Sequence, residues 1–83
     1  MAEMSDHQDS EHFTYDRSWD EIELMLDKAE KRMNMLISTF HVAKAKDDKV
    51  AMKDAARNKK ALEGVVKTLR WVLGDKNVMH PLE

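Results

Sequence analysis

The residues of this chain whose types could ligate a metal are its four histidines, and only His7 and His12 keep close company, set among Asp6, Asp9 and Glu11. A structural or catalytic metal site needs three or four donors held in fixed geometry, often with two of them one helical turn apart. Here no two histidines stand at i and i+4, His41 and His80 lie far from the first pair, and the stretch around His7 and His12 has no apolar periodicity to hold it in place. No metal or other cofactor is expected. The absence of cysteine removes thiolate ligands, disulfides and thiol nucleophiles. Carboxylates are plentiful but fall on polar positions, without the apolar surroundings that would tune one as a general acid, and no nucleophile is set beside an orienting base. The sequence reads as a non-enzyme.

The chemistry that remains is recognition. Lys44, Lys46, Lys49, Lys53, Arg57, Lys59 and Lys60 gather in the middle of the chain, diluted by Asp47, Asp48 and Asp54. Such a cluster grips phosphates through charge, and Lys53, Arg57, Lys59 and Lys60 are the residues that would serve a nucleic acid. The competing reading is a solvated helix face, because the sequence pI is about 6.1 and no base-reading motif or interleaved aromatics accompany the lysines. A second group is apolar: Phe13, Tyr15, Trp19 and Trp71, with Val78, Met79 and Leu82. Buried, these side chains would plug the end of a small core; exposed, they would form a docking patch for a protein partner, since Trp and Tyr are enriched at interface hot spots.

What must position these groups is a pair of helices. Ser18-Trp19-Asp20-Glu21 is a capping box, in which the Ser18 hydroxyl and the Glu21 carboxylate satisfy each other's backbone amides, and it opens a helix over about 18–46. Along it Trp19, Ile22, Leu26, Ala29, Met33, Leu36, Phe40 and Ala43 alternate by three and four residues, the seam of a helix lying along a partner. A second seam, Ala51, Ala55, Asn58, Leu62, Val65, Leu69 and Val72, predicts a helix over about 48–73 that stops at Gly74. Asn58 on that seam, opposite Leu36, is either a buried register-fixing amide or a residue that a small helix rotation exposes.

Between the seams lies KAKDDKVAM, residues 44–52, with neither Gly nor Pro. Projected forward, the first seam meets Asp47 and Asp54, so the register breaks, and Asp47 and Asp48 are each able to cap a new helix. A turn is therefore predicted, giving an all-α, antiparallel two-helix hairpin over residues 13–74, with 75–83 as a tail and 1–12 as a disordered acidic arm. Such a hairpin leaves part of each apolar stripe wet, so dimerisation into a four-helix bundle is expected, through Met25, Met33, Ile37, Phe40, Asn58, Leu62, Val66 and Leu73. A homodimer that binds and regulates a protein partner is the function this layout implies. The alternatives are nucleic-acid binding at the basic turn and a structural coiled-coil element.

Charge is split along the chain. Residues 1–30 hold ten acids and two bases, whereas residues 31–83 hold six acids and twelve bases. The acidic arm, with Asp6, Asp9, Glu11 and Asp16 nearby, could fold over the basic turn of a neighbouring copy or approach a basic groove on a partner. No signal peptide or membrane span is expected, and a cytoplasmic location follows from that reading.

Overall fold

A computed structural model of the chain describes residues 16–82. Two helices account for its regular structure, α1 (Trp19–Ala45) and α2 (Lys49–Val72), packed against each other along their length. The hairpin is confirmed, and its limits differ from the sequence expectation only at the capping residues. The arm 1–12, Phe13 and Tyr15 lie outside the described residues.

α1 starts where the capping box places it. The Glu21 amide donates to Ser18 Oγ at 3.1 Å, and the Ser18 amide donates to Glu21 Oε1 at 2.9 Å. The same contacts, the Ser18 backbone first and its hydroxyl second, hold the Glu21 carboxyl below the usual carboxylate range, with Arg17 assisting.

The turn is a close succession of caps. α1 ends in a Schellman motif: the Asp47 amide donates to the Lys44 carbonyl at 3.1 Å and the Asp48 amide to the Ala43 carbonyl at 2.9 Å. That motif needs a left-handed residue, usually glycine, and here Asp47 fills it at φ 56°. Asp48 then turns from stop to start, its Oδ1 accepting from the Ala51 amide at 3.1 Å as the N-cap of α2. KAKDDKVAM folds back because two aspartates supply, by positive φ and by side-chain acceptance, what glycine and serine supply elsewhere. α2 ends the same way, with the Gly74 amide donating to Trp71, the Asp75 amide to Arg70, and Gly74 at φ 86°.

The core between the helices is small. Ala29, Ala43, Ala55 and Val66 are buried, and Ile22, Leu26, Met33, Leu36, Phe40, Leu62, Leu69 and Leu73 are half-buried. The structure is accordingly rod-like, with a radius of gyration of 17.1 Å, where a compact globule of similar length would have about 11–12 Å. Each helix has one neighbour, so most of its circumference faces outward.

The seam of α1 follows the sequence pattern except at its first position, since Trp19 is 64% exposed. The seam of α2 does not. Beyond Ala55 the buried line runs through Lys59, Leu62, Val66, Leu69 and Leu73, so that Val65 and Val72 are exposed and Val66 takes the place expected for Val65. Asn58 is exposed with them, which is the second of its two readings. In this rotation Lys59 lines a groove with Ile37 and Phe40 while its ammonium meets Glu63 of the same helix at 3.0 Å, and on the same flank Arg70 reaches across to Glu30, the ion pair that ties the two helices among the described residues.

Candidate interaction surfaces

Helical periodicity divides the hairpin into two long faces. On one, Glu30, Ile37, His41 and Lys44 of α1 stand beside Met52, Ala56, Lys59, Glu63 and Arg70 of α2, as the grooves and ion pairs on that side show. The opposite flank carries Met25 from α1 and Val65 and Val72 from α2, with Leu24, Met35 and Val42 turning onto the outer side of α1, all exposed and interspersed with Glu21, Lys28, Thr39 and Lys46. Leu24, Met35 and Val42 are separated by eleven and seven residues, whole numbers of helical turns, and so align in one stripe.

The first face is polar at its rim. Glu30 and Arg70 tie the two helices together across forty residues of sequence, raising the Arg70 pKa. The Lys59 ammonium holds the Glu63 carboxyl below its usual range. Toward the turn this face opens into two adjoining depressions of ≈ 530 and ≈ 580 Å³ that share Phe40 and Ala56 as floor. Lysines 44, 49, 53, 59 and 60 stand around them, and Ile37 and Met52 extend the apolar floor.

The self-association residues expected from sequence are thus distributed over three surfaces. Met33, Leu62, Val66 and Leu73 close the hairpin's own seam, Val66 most completely at 8% exposure. Ile37 and Phe40 floor the lysine-walled groove. Met25 and Asn58 alone lie on or beside the apolar face. Leu24, Met35, Val42, Val65 and Val72 are also exposed apolar side chains outside that expected set, and the eleven- and seven-residue spacing in α1 is the signal for three of them.

Of the nucleic-acid candidates, Lys53, Lys59 and Lys60 line the groove, whereas Arg57 faces away and meets Asp54 at 3.8 Å. Of the docking residues, Trp19, Trp71, Val78, Met79 and Leu82 are described. Trp19 and Trp71 are 64% and 49% exposed, and Trp71 lies on the stripe of α2 that carries Lys53 and Lys60 at the rim of the groove. Met79 and Leu82 are fully in solvent and Val78 is half-buried, in a tail that bends where the Val78 amide donates to Asp75. Neither tryptophan plugs the open end.

Among the described residues no polar or charged side chain is buried, and no group of three His, Asp or Glu side chains is placed to hold a metal ion. No described helix is long and apolar enough to cross a membrane. Comparison of the chain with known protein families, with curated proteins and with solved structures finds no match.

Proposed function

We propose that this chain is a non-enzymatic helical module that pairs with a second copy through its apolar face and, as that dimer, binds and regulates another protein. One observation supports the pairing above all. The hairpin buries three alanines and one valine, while Met25, Val65 and Val72 stand exposed on one flank and Leu24, Met35 and Val42 on the adjoining outer side of α1. A thin two-helix rod gains little from so small a core, and covering the exposed face with its own symmetry mate produces the four layers of a bundle.

The pairing runs head to tail. The half of the hairpin that contains the turn, residues 31–64, holds nine bases and four acids, whereas the rest of the chain holds twelve acids and five bases. A twofold axis across the rod sets each basic end against an acidic one; an axis along the rod would set like charges together. Trp19, Trp71, Met79 and Leu82 are exposed, and these groups serve the partner protein. No desolvated acid or base among the described residues calls for catalysis.

Sedimentation velocity over a range of concentrations tests the pairing. The wild type is expected at twice the 9.7 kDa chain mass, and Met35→Glu combined with Val65→Glu at the chain mass with unchanged helicity, since both positions are exposed. A wild type that stays monomeric at every concentration overturns the proposal. For the regulatory role, Trp71→Ala should lose partner binding while keeping the dimer and its helicity.

A further inference from the structure

The groove at the closed end raises a question that pairing through the apolar face does not answer. Its floor is apolar, with Ile37, Phe40, Met52 and Ala56, and its lysines are unevenly engaged. Lys59 is tied to Glu63, but Lys44, Lys49, Lys53 and Lys60 form no ion pair with any described carboxylate. Five lysines against the two carboxylates Asp47 and Glu63 leave the lining of this trough net positive, and it fits a segment that is acidic.

The chain itself holds such a segment. Residues 1–15 contain Glu3, Asp6, Asp9 and Glu11, no lysine or arginine, and the apolar Met4, Phe13 and Tyr15. We propose that the N-terminal segment of one copy docks in the lysine-walled groove of the other, wrapping the closed end of its partner. This inference rests on the head-to-tail pairing above, which brings the start of α1 in one copy beside the turn of the other.

Reach decides between the partner's groove and the chain's own. Lys44 lies twenty-five residues along α1 from Trp19, about 38 Å at helical rise. At about 3.4 Å per extended residue, Asp6 and Glu3 extend about 34 and 44 Å from Asp16, so within one chain only Glu3 attains the lysines at the turn. From a head-to-tail partner the path instead runs around the rod, whose short dimensions are 27 and 23 Å. Asp9, at about 24 Å of extended chain, then comes to the groove with Asp6 and Glu3.

Zero-length carbodiimide cross-linking of the full chain, using an equal mixture of ordinary and 15N-labelled protein, tests this. Isotopically mixed cross-links are expected between Glu3, Asp6 or Asp9 and Lys44, Lys49 or Lys53. Lys49→Gln and Lys53→Gln together, both at exposed positions, should lower the remaining mixed cross-links to Lys44 at least threefold while sedimentation still reports the dimer. Unmixed cross-links alone, or none in a sample that sediments as a dimer, overturn the docking and leave the pairing intact. A monomeric sample overturns both. Cross-links that disappear on adding a short single-stranded DNA, with the DNA retarded at about 50 mM salt and released at about 200 mM, give the groove to nucleic-acid phosphates and likewise overturn the proposal.

Discussion

The closed and open ends of this hairpin are built from the same two helices and held by different means. At the closed end Ala43 and Ala55 are buried, the helices are joined through three capping residues, and the turn amides of Asp47 and Asp48 are both bonded. At the open end Ile22, Leu26, Leu69 and Leu73 are half-buried, Trp19 and Trp71 are exposed, and Glu30 with Arg70 supplies the cross-helix tie. Small side chains let backbones approach until they touch. Large ones hold the helices apart and remain partly wet unless something else covers them. Order therefore grades along the rod, and the end that lacks a packed interior is the end that carries the exposed rings.

The largest effect expected to break this contrast is overpacking at the closed end. Ala55 is 3% exposed, so Ala55→Leu should destabilise by about 1–3 kcal/mol in thermal or denaturant melts. The same enlargement at exposed Ala45 should stay within about 0.5 kcal/mol. Equal losses at the two positions would mean that the closed end is not the tighter one.

Capping comes next. Asp48→Ala removes the acceptor for the Ala51 amide and should cost about 1 kcal/mol. Ser18→Ala at the open end, where the helix has less packing to lose, should cost toward the lower part of the roughly 0.5–2 kcal/mol range for such caps. Native-state hydrogen exchange should show the same order, with amides near Ala43 and Ala55 slower than those near Ile22 and Leu69.

The two left-handed positions sharpen the comparison with opposite signs. Asp47 occupies φ 56° with a side chain, Gly74 occupies φ 86° without one. Asp47→Gly should stabilise by about 0.5 kcal/mol and Gly74→Ala should destabilise by about 1 kcal/mol. Added bulk does not confuse the second change, since a methyl group at Gly74 meets nothing within 4 Å.

The smallest effect is in acid. Glu21 and Glu63 have folded pKa values below their ordinary ones. Their contribution is therefore full above the unfolded glutamate value of about 4.3 and is lost as pH falls through the lowered values. Residue-resolved NMR should show the start of α1 loosening in that window, while the Asp47 and Asp48 amides, bonded to backbone carbonyls, hold longer.

Much of this could be read from the chain. The capping box, the existence and limits of both helices, the stop at Gly74 and the break at Asp47 all followed from local residue types, and α1 kept its seam from Ile22 to Ala43. The seam of α2 was legible only in outline. Val65 and Val66 are equally apolar, so a pattern of apolar positions cannot choose between them, and a rotation of one residue exchanges their faces. Lys59 stood outside the expected seam because it is charged, yet a long side chain can cover apolar surface with its stem and still deliver its ammonium to Glu63.

What the sequence determined by itself was therefore local: where backbone amides find acceptors, where a left-handed residue stops a helix, and which stretches repeat with helical period. What only the tertiary structure decided was rotation: which side of α2 meets α1, and so which apolar residues fill the seam and which are left on the opposite face. Capping depends on atoms within three or four residues of each other. Rotation depends on contacts between residues far apart in sequence, such as Glu30 and Arg70, and those meet only once the chain has folded back.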